Sequence, residues 1–408
     1  MISRLRTIYH DYPSQFWLLM TASFIDMMGG SLIFPFFSLF FTQKFNVSLA
    51  QVGGVLAVWA TAGLVGRTLG GALTDRVGRK RMVIFGLVFS ALSSLILAFV
   101  DDFRLVFLAA GVAGIFSSMG GPAYHAMIAD LLPGEKITDG YGISRVVGNV
   151  AFAIGPAIGG LLADINFVLL FVLDAVSSVI TALFVARYLS ESRTEAAAQE
   201  TEHQSLLEVL GGYARVLTDT TLLAMIVLGA LVGLVYWQWY FSVPVFMRDV
   251  HGMPAQYYGW MMSMAGVIVI VFQLAITRKL RGVGQHWVMA AGSVLFGIGF
   301  GMFGFISAYA MFLLASTVIT FGEMVLFPTQ QAIVARLAPE ALRGRYIAAA
   351  GLAFALPNIF GPYLGGLALE SVGPQSMWYL GALMCLVGTL GYLPLRGRLA
   401  RAGDSSPE

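Results

Sequence analysis

Long apolar stretches separated by short polar ones run through the whole chain. Each stretch has about twenty residues or more, enough for an α-helix to cross a hydrocarbon core of ~30 Å. The pattern predicts an all-α membrane protein with twelve spans and no soluble domain. The predicted spans are 14–42, 49–73, 81–100, 103–131, 140–163, 166–187, 219–247, 256–277, 286–307, 309–337, 344–369 and 375–395.

Lysine and arginine are unevenly distributed between the two sets of loops. The termini and the loops on their side carry nineteen of the twenty-four residues, whereas the opposite side carries only Lys44, Arg104 and Arg248. Positive residues accumulate on the cytoplasmic side of membrane proteins. We therefore expect both termini in the cytoplasm and the protein in a prokaryotic plasma membrane.

The segment between the sixth and seventh predicted spans has a different composition. Residues 189–218 are polar and rich in glutamate, and their leucines recur at helical spacing. This pattern predicts a cytoplasmic linker with a short amphipathic helix. The linker divides the chain into six-helix bundles over 1–188 and 219–397, followed by a cytoplasmic tail over 398–408.

The two halves resemble each other in sequence. At a constant offset of 206 residues, the segment 122–161 aligns with 328–367 without a gap. Two six-helix bundles related by a repeat are typical of transporters, with a substrate site near the midplane between them. The matching residues are Pro122 with Pro328, Ala126 with Ala332, Ala129 with Ala335, Pro133 with Pro339, Gly155-Pro156 with Gly361-Pro362, and Gly159-Gly160 with Gly365-Gly366.

Composition argues against several other classes of protein. The net charge of +2 is too small to indicate a nucleic-acid partner, and the single cysteine, Cys385, excludes disulfide frameworks and multi-cysteine metal sites. The chain contains no GxxxxGK[ST], HExxH or GxSxG motif. We therefore expect a monomer that is not an enzyme, with no cofactor and no metal site.

Three acidic residues lie inside predicted spans. Asp26 and Glu323 lie near the middle of the first and tenth spans, and Asp174 lies about two turns into the sixth. A charge at mid-bilayer costs at least ~2.5–3.5 kcal/mol, so such residues usually have a function. We interpret Asp26 as a proton-coupling group and Glu323 as both a proton-coupling group and the partner of a cationic substrate, with room for a ligand at Gly322. For Asp174 an internal packing hydrogen bond and proton coupling both remain open.

Four further ionisable residues lie toward the predicted cytoplasmic ends of spans: Arg67, His125, Asp130 and Arg145. We interpret them as a structural layer of salt bridges. Aromatic residues are candidates for the cavity lining, because their faces stabilise organic cations by ~0.5–2 kcal/mol each; contact with lipid is the alternative. The candidates are Phe34, Trp237, Trp239, Tyr240 and Phe354.

Three motifs carry a family resemblance. The stretch Gly70–Arg81, "GGALTDRVGRKR", resembles position by position the loop-2–3 signature of the major facilitator superfamily. Its proton-coupled exporters show a fifth-span motif that this chain resembles, with Ala151 where the first glycine is usual, and a first-span pattern with an acid nine residues before a proline. The matching residues are Gly155, Pro156, Gly159 and Gly160, and Asp26 with Pro35. Together they resemble the twelve-span drug:proton antiporters.

The resemblance implies a role for the charged stretch. Asp75 lies in a last helical turn, where an acid opposes the helix dipole and needs a partner such as Arg79. The family implies a gating latch that holds the halves together on the inside, with a plain positive-inside loop as the alternative. Gly71 is expected to permit close helix packing and Gly78 to adopt a positive φ. The predicted latch residues are Gly71, Asp75, Arg76, Gly78, Arg79, Lys80 and Asp130.

The resemblance also bears on the glycine-proline pairs and on coupling. Proline permits a kink in a membrane helix, and the family favours a role in alternating access over packing alone. The predicted kink residues are Gly155, Pro156, Gly159, Gly160, Gly361 and Pro362. The family's usual fourth-span arginine is replaced by Ala110, which leaves the coupling route open.

The sequence thus predicts a proton-coupled exporter of amphipathic, cationic small molecules in the lipid bilayer. The alternatives are a transporter of a polar metabolite such as a sugar or an organic acid, and a receptor-like or scaffold membrane protein.

Overall fold

The computed structural model describes residues 11–192, 216, 218–280, 282–339 and 342–397, without the side chains of residues 75, 343 and 344. These residues form helices and no strand. The predicted amphipathic helix of the linker and the tail over 398–408 lie outside them. The α-helices are α1 Ser14–Ile33, α2 Phe37–Phe45, α3 Leu49–Val77, α4 Arg79–Phe99, α5 Phe103–Ser118, α6 Gly120–Leu131, α7 Ile137–Ile165, α8 Val168–Tyr188, α9 Thr220–His251, α10 Ala255–Lys279, α11 Gln285–Met302, α12 Tyr309–Leu337, α13 Arg343–Ala350, α14 Leu352–Ser371 and α15 Pro374–Tyr392.

Eleven helical segments of the described chain are long and apolar enough to cross a membrane, which makes this a multi-pass membrane protein. Helix α11, at the predicted ninth span, is not among them; it has 18 residues and begins with the polar Gln285 and His286. The count of twelve spans therefore stays a prediction. The α-helix of the first span is interrupted at Pro35, the proline of the first-span pattern, because Phe34–Phe36 forms a 3₁₀ turn between α1 and α2.

The sequence repeat extends to the helix boundaries. The starts of α1, α3, α4 and α5 recur 206 residues later as the starts of α9, α10, α11 and α12. Packing repeats too: α1 packs on α7 and α8 as α9 packs on α14 and α15, and α4 packs on α5 and α8 as α11 packs on α12 and α15. The repeat is thus structural as well as sequential.

The chain divides into two compact units. Unit 1 contains Met1–Asn46, Val55–Thr201 and Pro254–Gly266, and unit 2 contains Val47–Gly54, Glu202–Met253 and Val267–Glu408. Helix α3 therefore begins in unit 2 and continues in unit 1, whereas α10 begins in unit 1 and continues in unit 2.

These two helix starts make repeat-related contacts. In unit 1, a Cβ added at Gly160 would lie 2.7 Å from Cα of Gln256, and Asp164 accepts a hydrogen bond from the backbone N–H of Ala255 at 2.9 Å. In unit 2, Gly366 approaches the backbone of Ala50, and Glu370 accepts a hydrogen bond from the Ala50 N–H at 3.3 Å. Because the offset of 206 relates Gly160 to Gly366 and Asp164 to Glu370, each acidic residue caps the equivalent helix.

Candidate transport site

Asp26 lies on α1 beside a cavity of about 340 Å³ inside unit 1. Its Oδ1 accepts a hydrogen bond from the Ser178 hydroxyl on α8 at 3.1 Å. Tyr124 also lines the cavity, and its hydroxyl contacts those of Ser23 at 3.0 Å and Ser144 at 2.9 Å. A carboxylate, a phenol and several hydroxyls thus surround one cavity and can exchange protons or hold a cation.

Asp174 lies close by, on α8. It is buried, and its Oδ2 accepts a short hydrogen bond from Ser94 on α4. It lines a second cavity of about 360 Å³, and Met27 and Ser90 line both cavities. The Ser94 bond agrees with the packing interpretation, while the shared lining residues place Asp174 in the same polar region as Asp26.

Glu323 on α12 lies in unit 2 and is half-buried. The Tyr236 hydroxyl of α9 interacts with its side chain and lies 3.0 Å from the Tyr240 hydroxyl. The ligand space predicted at Gly322 is wrong, because a Cβ there would lie 2.8 Å from the ring of Phe296. The sequence reasoning included Tyr240 but missed Tyr236, which lies one helical turn earlier on the same face.

The aromatic residues predicted to line the cavity pack on other aromatic rings, and one of them, Phe34, also lies beside a cavity. Trp239 is buried and stacks on Phe303, which places this indole among packed aromatic rings, and its role in substrate binding stays a prediction. Trp237 stacks on Phe241. Phe354 packs on Phe327, a neighbour of Tyr236. Phe34 packs on Phe152 beside the second cavity.

The charged stretch between α3 and α4 forms a cluster at one end of unit 1. Arg79 Nε lies 3.2 Å from Asp130 Oδ2, an ion pair with the residue predicted to join the latch. Lys80 Nζ donates to the Ala186 carbonyl oxygen at 2.7 Å. The sequence reasoning missed Glu191, whose Oε1 accepts the backbone N–H of Arg79 at 2.8 Å. Glu191 went unnoticed because it lies in the segment assigned to the linker.

The glycines of this stretch behave differently from each other. Gly78 has φ +106°, which confirms the predicted positive φ. Close packing at Gly71 is wrong, because no atom lies within 4 Å of a Cβ added there. It is Gly70 that approaches the backbone of Met119. Arg76 is exposed, and the side chain of Asp75 lies outside the described residues.

The predicted layer of salt bridges among Arg67, His125, Asp130 and Arg145 is wrong, because the acid of this group pairs with a residue outside it. Within the described part of the chain, Asp130 pairs with Arg79, and neither Arg67 nor Arg145 forms an ion pair. Both of these arginines are exposed, and the backbone carbonyl of His125 accepts a hydrogen bond from Tyr141 at 3.0 Å. Sequence proximity to helix ends therefore did not identify the partners.

The glycine-proline motif packs closely on α1 and α10. Pro156 and Pro362 lie within helices that continue through them. Gly155 approaches Ser31, and Gly159 approaches Leu32 and Phe36. The equivalent Gly361 lies against Trp237, which corresponds to Ser31 at the offset of 206. A role in packing is thus directly visible, and the hinge stays a prediction.

Two polar interiors, each built from helices of one bundle of a repeated all-α membrane protein, are typical of a secondary transporter. The sequence model of the Major Facilitator Superfamily matches residues 19–282 and 254–408. The chain belongs to this superfamily, as the resemblance of its motifs indicated.

Individual proteins that resemble the chain share less than a third of its residues. The chain is 28% identical over 360 residues to a Na(+), Li(+), K(+)/H(+) antiporter of Planococcus maritimus, covering 81% of this chain and 84% of that protein. It is 23% identical over 355 residues to multidrug resistance protein 1 of Bacillus subtilis (strain 168), covering 86% and 89%. A crystal structure of the nucleoside transporter NupG superposes with a TM-score of 0.78 at 16% identity, covering 94% and 99%, which supports the fold.

Proposed function

We propose that this transporter exports amphipathic, cationic small molecules in exchange for protons, by alternating access. The proposal places it in a bacterial plasma membrane, as a monomer with cytoplasmic termini. The observation that carries it is the pair of separate acidic interiors: Asp26 beside a hydroxyl-lined cavity, and Glu323 beside two tyrosines. A relative named as a multidrug resistance protein supports the same class of substrate.

The two interiors suit different tasks. The surroundings of Asp26 are rich in hydroxyl groups, which can pass protons along hydrogen bonds. We assign Asp26 mainly to proton coupling, with Asp174 as the neighbouring carboxylate. The surroundings of Glu323 combine a negative charge with aromatic rings, the combination that recognises organic cations. We assign Glu323 mainly to the substrate, which leaves when the carboxylate takes up a proton.

A second candidate function is the exchange of alkali cations for protons. Carboxylate and hydroxyl oxygens are ligands that hard cations prefer. Asp26 with Ser178 and Asp174 with Ser94 supply such oxygens in one bundle. The relative named as a Na(+), Li(+), K(+)/H(+) antiporter favours this alternative.

The test is transport by the purified protein in lipid vesicles with an imposed proton gradient. A panel of organic cations, neutral amphipathic compounds, Na⁺, Li⁺ and K⁺ is offered in turn. Stimulation of organic-cation movement against its own gradient supports the first function, and stimulation of alkali-cation movement alone supports the second. Transport that ignores the proton gradient for every compound contradicts both.

A further inference from the structure

A cavity of about 710 Å³ lies at one end of unit 2 and extends along α12 from Arg336 to Met324, the residue next to Glu323. Its lining includes the loop before α11, the last turn of α12 and the residue Arg396 after α15. Lysine and arginine counts predict that this end faces the cytoplasm. The cavity has no role in the proposed transport cycle.

The lining is basic. Arg336 and Arg396 both contribute to it, and none of the described lining residues is acidic. His286 also lines the cavity; it is 9% exposed, and its Nε2 has no hydrogen-bond partner among the described residues. Two fixed positive charges and a buried imidazole with an unpartnered nitrogen favour a negatively charged ligand.

The start of α11 also favours a negatively charged ligand. Its N-cap residue is Gly284, no side chain caps the helix, and its first turn contains no acid. The first N–H groups of a helix need acceptors, and together with the helix dipole they attract anions. The backbone at Gln285 and His286 therefore adds donors to the basic lining.

Unit 1 shows what fills the equivalent place there. At the offset of 206, Gly284 corresponds to Gly78, and α11 corresponds to α4. In unit 1 the carboxylate of Glu191 accepts the backbone N–H groups of Arg79 at 2.8 Å and Lys80 at 3.4 Å. In unit 1 the anion at this helix start is thus the side chain of a residue of the same unit.

Unit 2 has no acidic residue at the positions equivalent to the two acids that unit 1 uses. Arg336 stands at the position of Asp130, and Gly397, next to Arg396, stands at the position of Glu191. An arginine, and a glycine beside an arginine, thus stand where unit 1 has two acids, while the helix start and its N-cap glycine are the same in both units. No side chain among the described residues caps the start of α11, so its N–H groups are available to an anion that does not belong to the described chain.

We propose that this cavity binds a phosphate group, either of an anionic phospholipid or of a soluble phosphate, between Arg336, Arg396 and the start of α11. Arginine and helix N-termini are the usual phosphate ligands. Trp287, which lines the cavity and is 58% exposed, is of the type enriched at membrane interfaces, which favours the lipid. Basic pockets between helices on the cytoplasmic side bind lipid headgroups in this way.

The experiment uses the full-length protein purified in detergent, with two probes added separately: phosphatidylglycerol and inorganic phosphate. Bound lipid is counted by native mass spectrometry, and the shift in melting temperature is measured for both probes, with phosphatidylcholine and chloride as the reference additions. The test variant is Arg336→Gln with Arg396→Gln. The matched control is Arg278→Gln, which removes an exposed arginine from the end of α10 that does not line the cavity.

We expect roughly hundredfold weaker binding in the double variant, since two charge-assisted hydrogen bonds are lost, and no change in the control. Arg336→Lys with Arg396→Lys keeps the charge and should retain most of the binding. A response to phosphatidylglycerol alone identifies a lipid site, whereas a response to inorganic phosphate identifies a site that reads the phosphate itself. Equal binding by the double variant and the Arg278→Gln control, or no binding of either probe to the unaltered protein, would overturn the proposal. Neither result bears on Asp26 or Glu323, so the proposed transport function stands or falls separately.

Discussion

Unit 1 contains two carboxylates among serine hydroxyls, whereas unit 2 places one carboxylate beside two tyrosines. At the offset of 206, Asp26 corresponds to Val232, Asp174 to Leu380 and Glu323 to Ser117. None of the three acids has an acidic counterpart. The glycine contacts, in contrast, are preserved: Gly160 on Gln256 recurs as Gly366 on Ala50.

The difference separates what the repeat conserves from what it does not. Close helix contacts depend on the absence of a side chain, so the same glycines serve in both units. Ionisable groups inside a membrane are costly and are kept only where they act. The close glycine contacts are therefore common to both units, whereas each unit has its own buried acidic residues. Variants of the acids and of the glycines test these two features separately.

The largest effect is expected from Asp26→Asn. This change keeps the shape and the Ser178 contact but removes the exchangeable proton. Transport against a gradient should fall by about a hundredfold or more for cationic and neutral substrates alike, as when a positioned proton-transfer group is removed. Movement down a gradient should persist. The measurement is substrate accumulation in vesicles with and without a proton gradient.

Asp174→Asn is the matched variant for that experiment, because Asp174 lies in the same polar region and bonds to Ser94 instead. If it abolishes accumulation while Asp26→Asn does not, proton coupling belongs to Asp174. If neither variant loses accumulation, the assignment of coupling to unit 1 is wrong.

The second largest effect is expected from Glu323→Gln in unit 2. The amide cannot become negative, so apparent affinity for a cationic substrate should fall about tenfold, the size of a lost charge-assisted contact, while a neutral substrate is affected little. Tyr236→Phe keeps the ring and removes only the hydroxyl. It should lower the apparent affinity for both substrates by about fivefold or less. Equal losses of the two substrates in Glu323→Gln would show that the carboxylate is not a cation partner.

Several features of the fold could be predicted from the sequence because they follow from hydropathy and spacing. The helix starts recur at the offset that the glycine-proline segments had indicated, and Gly78 has the predicted positive φ. These features depend on local patterns. The gap-free alignment of 122–161 with 328–367 supplied an offset that also relates helix starts outside those segments.

The partners of the polar residues could not be predicted in the same way. Glu191 reaches the start of α4 from a distant part of the chain, 112 residues from Arg79. Tyr236 meets Glu323 across two helices, and Trp239 turns toward the core although its neighbour Tyr240 turns toward Glu323. Such pairings depend on helix rotation, which a residue's place in the sequence does not determine.

The third prediction tests the duplicated packing. Gly160→Ala and Gly366→Ala each place a methyl group against the backbone of a helix start, at Gln256 and Ala50. Overpacking of this kind costs ~1–3 kcal/mol, so both variants should lower the melting temperature by similar amounts and slow transport. Gly142→Ala, in the same helix as Gly160 but with no atom within 4 Å of the added Cβ, is the control and should be neutral. A large difference between the first two variants would contradict the equivalence of the contacts.

The smallest effect is expected from Glu191→Gln. The amide oxygen can still accept the N–H groups of Arg79 and Lys80, but the negative charge at the start of α4 is lost. The expected loss of stability is ~0.3–1 kcal/mol, because the carboxylate is exposed and partly screened. Glu135→Gln is the control, since Glu135 is an exposed acid without a hydrogen bond in the described chain. The measurement is thermal unfolding in detergent at low and high salt: the difference between the two variants should shrink as salt rises. If Glu191→Gln matches the control at low salt, the carboxylate does not stabilise this helix start. Unit 1 would then no longer serve as a template for an anion in unit 2.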